Sequence, residues 1–265
     1  MIVSLEGDTA IVTGAGRGIG KAIAQGLLSE GVNVAAIDVG KKDLEKFTKE
    51  VEKIYPNSFV GCVCDIRDEE GMKEVAESVA KKFGSVDILV NNAGVVGNGP
   101  LAELSEETWD FVHDVNLKGT FLACKAVIPY MKRQRKGRIV NASSFAAISP
   151  IYGSGAYASS KAAVAHFSRA LAAELGPWSI TVNAYAPGMI PTAMNGFAEL
   201  PQAEQERLLS TLALKKWGST GDIVSLVCFL ASSCASYITG TLVDVSGGKL
   251  ISQIPSLAYD AYEGI

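Results

Sequence analysis

Histidine is almost missing from this sequence: His113 and His166 are its only two, and both fall inside helical patterns. A metal centre would have to come from thiols and carboxylates. Cysteine is scarce as well, with five in 265 residues, and Cys62 and Cys64 are the only close pair. A zinc-type site needs a second such pair or histidines nearby, and a disulfide framework does not suit an odd count spread over a long chain. Buried free thiols and no metal are the expectation. Basic residues are not in excess: 24 Lys and Arg face 28 Asp and Glu, for a formal charge of −4. Nucleic acid normally demands a basic face, so no such partner is expected. No run of 18 uncharged apolar residues occurs, and no membrane-spanning segment is expected. The first eight residues lack the basic start and apolar stretch of a signal peptide. These absences point to a cytoplasmic protein.

What the chain does have is apolar content, 48% against 20% charged. That balance excludes disorder, and the length is ample for a large core. Short apolar runs at 9–13, 32–37, 59–64, 88–90, 138–141, 181–184 and 241–245 alternate with helical patterns at 18–29, 41–54, 69–83, 106–131, 156–175 and 221–231. Near-continuous apolar strands separated by helices mark a parallel sheet covered on both faces. Right-handed crossovers then give an α/β fold, a doubly wound parallel seven-stranded sheet. No linker, repeat or low-complexity tract divides it, so residues 1–265 read as a single domain. The one long departure, 188–216, holds Pro191, Pro201 and a short charged helix near 202–209. A loop of that length in a compact domain is a functional lid or disordered; the reading is a substrate lid.

The first strand runs into Thr13-Gly14-Ala15-Gly16-Arg17-Gly18-Ile19-Gly20, and a helix follows. Glycines there let the backbone turn sharply and approach a pyrophosphate seated on a helix N-terminus. A plain strand-to-helix turn also favours glycine, but the place after the first strand suits a dinucleotide and a Rossmann fold. Asp38 closes the second strand eighteen positions after Gly20. An acid there accepts hydrogen bonds from the adenosine ribose hydroxyls and repels a 2′-phosphate; its bland alternative is a cap for the next helix. Arg17 could hold that phosphate, whereas Val39 could not. The acid weighs more, so NAD is expected over NADP. Asp65 and the Ile66 amide could meet the adenine edge, although Asp65 could equally cap the helix near Asp68. Asn91-Asn92-Ala93-Gly94 suits either a tight turn or a cofactor-facing backbone.

Tyr157-Ala158-Ser159-Ser160-Lys161 opens a long helix. Four residues put Tyr157 and Lys161 on one face, about 6 Å apart along the axis. A nearby ammonium favours phenolate and lowers the tyrosine pKa, making a proton acceptor for an alcohol or, in reverse, an acid for a ketone. Alone, such a pair would be a surface contact. Thirteen residues upstream of Tyr157, Ser143-Ser144 follow the fifth strand, placing a hydroxyl where active sites of open α/β sheets gather.

Together these residues resemble the short-chain dehydrogenase/reductase family in its single-domain branch, over about residues 8–248. The family's Thr-Gly-x-x-x-Gly-x-Gly appears as Thr13 to Gly20, its Asn-Asn-Ala-Gly as Asn91 to Gly94, its Tyr-x-x-x-Lys as Tyr157 to Lys161, and its Ser as Ser144. Its Asn in the fourth helix is matched by Asn116, and its Pro-Gly followed by Thr by Pro187, Gly188 and Thr192. The resemblance implies Tyr157 as catalytic base and acid, Ser144 orienting the substrate oxygen, and Lys161 lowering the Tyr157 pKa and binding the nicotinamide ribose. It implies Asn116 in a kinked helix that holds a water of a proton relay. It assigns the cofactor to Gly14, Arg17, Gly18, Ile19, Gly20, Asp38, Asp65, Ile66, Asn92, Ala93, Gly94, Pro187 and Gly188, with Ile190 and Thr192 fixing the carboxamide. The implied reaction is reversible hydride transfer between a carbinol carbon and nicotinamide C4.

The candidate substrate segments, 95–99, 145–154 and 189–200, contain no Arg or Lys, so a neutral secondary alcohol or ketone is favoured, such as a polyol, sugar or cyclic alcohol. Lys249 or a neighbouring subunit could still supply charge. A 3-oxoacyl-(carrier protein) reductase is the nearest alternative. The resemblance implies NADPH and a basic residue late in the catalytic helix for such enzymes, where this chain has Ala172-Ala173; Lys132, Arg133 and Arg135 could form a docking patch. An extended-branch epimerase would need a longer chain, and a silent NAD-binding module would not need Asn116, Ser144, Tyr157 and Lys161 intact. The apolar excess of residues 162–172 and of Phe121, Leu122, Ala126 and Val127 calls for a partner surface, and the family's four-helix pairing implies a homotetramer. The tail, 249–265, carries Ile254, Leu257, Tyr259 and Tyr262; it reads as a frayed end or as docking near a neighbour's pocket.

Overall fold

The seven apolar runs become seven strands of one parallel sheet, β1 (Thr9–Thr13), β2 (Asn33–Asp38), β3 (Phe59–Val63), β4 (Ile88–Asn91), β5 (Gly137–Ala142), β6 (Ile180–Pro187) and β7 (Leu242–Val245). The computed structural model describes residues 4–192, 196–249, 251–252, 255 and 258–259. Strand order is β3-β2-β1-β4-β5-β6-β7, and every pairing is parallel. The order reverses between β1 and β4, which opens a crevice at their carboxyl ends, the place where open α/β sheets bind ligands.

Side chains alternate between two cores, as a period of two requires. Ala10, Val12, Val34 and Ala36 face α1 (Gly18–Ser29), α2 (Lys41–Val51) and the late helix Thr220–Ala231. Ile11, Ala35 and Ile37 face α3 (Glu69–Phe83) and two long helices of the other layer. Covered on both sides, the strands read as unbroken apolar runs rather than alternating ones.

The helical pattern predicted over 106–131 is three pieces. α4 (Glu106–His113) passes into a π turn, Asp114–Lys118, and then α5 (Gly119–Gln134). Periodicity does not register one extra residue in a turn. Two contacts hold the widening: Ile66 packs so tightly that a Cβ on Gly119 would lie 2.5 Å from it, and the Thr120 hydroxyl donates to the Asn116 carbonyl at 2.7 Å. α6 (Gly155–Leu175) follows β5. α7 (Gln202–Leu209) is the expected short charged helix, and α8 is Thr220–Ala231. β6 runs to Pro187, three residues past the predicted end, because Tyr185-Ala186-Pro187 pair with β7 despite the poor strand propensity of Ala186 and Pro187. β3 stops at Val63, one residue short of Cys64, yet Cys62 and Cys64 still pack on the same face. Among the described residues no helix is long and apolar enough to cross a membrane, and no three His, Cys, Asp or Glu cluster as metal ligands would.

Candidate active site

The turn after β1 closes on itself. A Cβ on Gly20 would sit 2.1 Å from the Gly14 carbonyl, and one on Gly14, at φ 63°, would sit 2.8 Å from the Ala93 Cα. Glycine is required at both positions. α1 starts at Gly18 without a side-chain cap and without an acid in its first turn, whereas α3, α4 and α8 are capped by Asp68, Ser105 and Ser219. The leading amides of α1 thus face the crevice, the arrangement that receives a phosphate. Asp38 stands across this turn. One of its oxygens accepts from the Gly16 amide and the other from the Gly40 amide, each at 2.8 Å. The carboxylate is fixed in place, with lone pairs left for a ribose. Asp38 does not cap α2, whose N-cap Gly40 offers no side chain. Val39 beside it is 65% exposed.

Asp65 does not cap α3; Asp68 does, accepting from the Gly71 amide at 3.1 Å. Asp65 instead holds Arg67 through both guanidinium edge contacts, 2.6 and 3.0 Å to one oxygen, and that guanidinium keeps its carboxyl below the usual range. Asn91 and Asn92 part company. The Asn91 amide donates to Asn141 at 2.9 Å inside the core. Asn92 turns to the glycine loop, donating to the Thr13 and Gly14 carbonyls at 3.3 and 3.2 Å. Its oxygen accepts from the Tyr185 hydroxyl at 3.2 Å. Tyr185 is fully buried, and burial with Tyr157 nearby drives its pKa up. The apolar run predicted for this strand ends at 184, one residue short of it.

β5 delivers the two serines with opposite aims. Ser143 is buried, its hydroxyl donating to the Lys161 carbonyl at 2.8 Å. Ser144 is half-buried, accepts from the Ala146 amide at 3.1 Å and keeps its own proton for the Tyr157 side. Early in α6 stand Tyr157 and Lys161, with the ammonium 5.9 Å from the ring centroid. The Lys161 ammonium donates to the Ala142 carbonyl at 2.9 Å. A Cβ on Gly94 would lie 3.1 Å from Lys161 Nζ, so glycine keeps that approach open.

The pKa expectation for Tyr157 is corrected. Burial raises it, and the Ser144 hydroxyl pulls only partly back. The ammonium one turn away is itself buried, which lowers Lys161 to about 8. Desolvation is the larger influence on both groups. Asn116 occupies the π turn. Its carboxamide accepts from the Val95 amide at 2.8 Å and donates to the Val95 carbonyl and the Ser160 hydroxyl at 3.0 and 2.9 Å. The expected kink is present, and the side chain is a brace between α4–α5, α6 and the segment after β4.

One cleft of about 330 Å³ gathers most of the predicted residues: Gly14, Arg17, Gly18, Ile19, Asp38, Asp65, Ile66, Asn92, Ala93, Gly94, Tyr157, Lys161, Pro187 and Thr192. Gly20, Asn116, Ser144, Gly188 and Ile190 are not on its wall. Gly20 and Gly188 act as spacers; a Cβ on Gly188 would reach the Ser246 Cα at 2.5 Å. The wall also includes Tyr185, Arg67 and Phe111, which sequence reasoning missed; the Arg67 guanidinium over the Phe111 ring, 5.3 Å from its centroid, joins residues 44 apart in sequence.

The loop after β6 is not featureless. Phe197 stacks on Trp217 at 5.6 Å, and residues 212–214 pair with 247–249 beyond β7. Residues 193–195 of the predicted lid lie outside the described residues, as do Ile254, Leu257 and Tyr262 of the tail. Tyr259 docks on its own subunit, donating to the Ala213 carbonyl at 2.7 Å.

Comparison with known proteins agrees with this geometry. Residues 8–203 match the family model of short chain dehydrogenase. The chain is 41% identical over 247 residues to the 3-oxoacyl-(acyl-carrier-protein) reductase FabG of Thermotoga maritima, covering 93% of this chain and 99% of that relative. It is similar to NAD+-bound xylitol dehydrogenase, with a TM-score of 0.87 at 30% identity, covering 92% of this chain and 99% of that one. Levodione reductase gives 0.86 at 32%, covering 91% and 97%.

Proposed function

The chain belongs to the short-chain dehydrogenase family, an oxidoreductase acting on CH–OH groups, and we propose that it moves a hydride between a secondary alcohol, or its ketone, and NAD. The observation that carries this reading is the single cleft with Asp38 and the amides of α1 at one end and Tyr157 with Lys161 at the other. The glycine cradle, the uncapped α1 and the fixed Asp38 carboxylate fit a dinucleotide with a free 2′-hydroxyl. When bound, that group supplies the hydride acceptor, or donor, at its nicotinamide ring.

In this reading Ser144 turns its hydroxyl proton from Tyr157 to the substrate oxygen and holds that oxygen against Tyr157. The Tyr157 oxygen takes the hydroxyl proton as the carbinol carbon loses hydride, and returns it in the reverse direction. Burial, which lifts the Tyr157 pKa, makes it a strong acceptor once ionised and a poor one while the pocket holds no compensating charge. Lys161 supplies that charge, kept in register by the Ala142 carbonyl, and reaches the cofactor ribose past Gly94. Asn116, through the Val95 backbone and Ser160, sets the spacing of α6 from the wall after β4. Ile190 and Thr192 hold the carboxamide end, and residues 188–216 act as the lid of a single domain. The described segments beside Ser144 carry no Arg or Lys, so the reacting end of the substrate is neutral, as in a polyol, sugar or cyclic alcohol.

Likeness to the carrier-protein reductase favours a second reading, 3-oxoacyl thioester reduction with NADPH. Two placements weigh against it. Asp38 holds a negative charge where a 2′-phosphate would lie. Lys132, Arg133 and Arg135 end α5, just before β5 begins, so they occupy the edge of the sheet opposite Ser144, about 20 Å away along the strand. In the reading proposed here the protein is a cytoplasmic homotetramer paired through the α5 and α6 faces. The test is a panel of polyols, sugars, cyclic alcohols and acetoacetyl thioesters with both cofactors, on wild type and Tyr157→Phe. An alcohol oxidised with NAD by wild type, with turnover lost by about 10³-fold in the variant while NADH binding persists, is expected. Preference for NADPH and thioester would overturn it in favour of the second reading.

A further inference from the structure

β5, β6 and β7 all end on the same edge of the sheet, and the residues leaving those ends form the far side of the site from Asp38. Lys249 leaves β7. Its position is fixed from two sides. The backbone amide donates to the Ser246 hydroxyl at 3.1 Å, and the residue pairs with Leu212 in an antiparallel bridge. The next rungs, the Ala213 amide on the Gly248 carbonyl and the Leu214 amide on Gly247, tie it to the returning end of the loop that follows β6.

The ammonium is held as firmly. It donates to the Thr211 hydroxyl at 2.9 Å, which in turn donates to the Leu208 carbonyl at 2.6 Å. It stands 5.6 Å from the centroid of the Phe145 ring, and Phe145 is the residue after Ser144. Some cations elsewhere find acids: Lys21 pairs with Glu50, Lys125 with Glu69, Lys136 with Asp8 and Asp87. Among the described residues Lys249 forms no ion pair. Among the described residues one of its three N–H donors is used and the other two find no acceptor. Burial lowers its pKa, and among the described residues no acid offsets the loss of water. A half-buried cation without a counter-charge is unfavourable unless something else completes it.

We propose that Lys249 receives an oxyanion, a carboxylate or phosphate, borne by the substrate at the end remote from the carbinol. The neutral character of the reacting end and the charge of the far end are then two features of one ligand, read by Ser144 and Lys249 from either side of Phe145. This inference rests on the assignment of Ser144 and Tyr157 to the substrate side, and it takes up the charge that the sequence left open at Lys249 beside the neutral substrate it favoured.

The test pairs each hydroxy acid with its methyl ester and each polyol phosphate with its parent polyol, assayed with NAD on wild type, Lys249→Met and Lys249→Arg. In wild type, kcat/KM should favour the charged member, and Lys249→Met should cut the charged-to-neutral ratio about ten-fold or more, chiefly through KM, with Lys249→Arg restoring it. A ratio unchanged in Lys249→Met overturns the proposal. Butyrate and inorganic phosphate, which cannot react, are also titrated into the enzyme–NADH complex by NADH fluorescence. Binding weakened about ten-fold by Lys249→Met supports the oxyanion site independently of turnover, and equal binding refutes it. If no alcohol is oxidised at all while these anions still depend on Lys249, the reaction assigned above fails and the site stands.

Discussion

Replacing Lys161 by methionine should abolish turnover and, at the same time, remove a pH-dependent burden on the folded state. The Lys161 ammonium is buried with the Ala142 carbonyl as its hydrogen-bond acceptor, and burial takes it from the ordinary 10.5 to about 8. A displacement of that size corresponds to roughly 3 kcal/mol at neutral pH. Its sign follows from proton counts. Below pH 8 both folded and unfolded chains hold the proton, and the folded state bears the full penalty. Between about 8 and 10.5 the folded chain has released it and the unfolded chain has not, so stability rises with pH. Above 10.5 neither holds it and the penalty is gone.

Methionine keeps much of the stem and carries no charge. Its absolute effect depends on how well the thioether fills the space and on the Ala142 carbonyl left without its donor, about 1–3 kcal/mol. The pH dependence does not share that uncertainty, because every other group is common to both proteins. Thermal unfolding of wild type and Lys161→Met by circular dichroism, at one protein concentration and at pH 7 and 10.5, measures it. At about 2 °C per kcal/mol for a chain of this size, the Tm of the variant relative to wild type should fall by about 6 °C from the lower pH to the higher. A difference that does not move with pH would refute the buried-ammonium argument. Near wild-type activity in the variant would refute the role given to Lys161.

Tyr185→Phe removes one hydroxyl and leaves the Asn92 oxygen without its donor, roughly 1 kcal/mol; KM for NAD should rise about five-fold with kcat nearly unchanged, and equal constants would show that the Asn92 brace does not need it. Asp38→Ala should lower kcat/KM with NAD by about 10- to 100-fold and raise the NADP-to-NAD ratio; an unchanged ratio measured by steady-state kinetics would remove Asp38 from cofactor choice. Light scattering at micromolar concentration should give a tetramer, since Phe121 on α5 is 44% exposed and meets Phe167 of α6 edge-on at 6.4 Å; a monomer would leave that apolar face unexplained.

What could be read in advance divides along a physical line. Strand and helix assignment depended on periodicity, which burial on both faces preserves, and the Tyr157–Lys161 relation depended only on the helical repeat. Both are local, and both are present in the structure. The errors were in quantities set by the surroundings. The direction of the Tyr157 pKa follows from a loss of water that no spacing records, with the Ser144 hydroxyl pulling partly back. Tyr185 fell just past the predicted end of the sixth strand, and its partner, Asn92, lies 93 residues earlier. Asp65 offered a cap or an adenine contact from its position; Asp68 took the cap, and Asp65 pairs with Arg67 on the wall of the cleft. Lys249 was left open as a source of charge and not placed, for a related reason: the segments surveyed were those nearest Ser144 in sequence, whereas an antiparallel bridge to Leu212 and the turn past β7 bring this cation to the Phe145 ring. A substrate pocket at the edge of a parallel sheet is assembled from the ends of strands far apart in the chain. Its charge must therefore be counted across those ends rather than along any one loop.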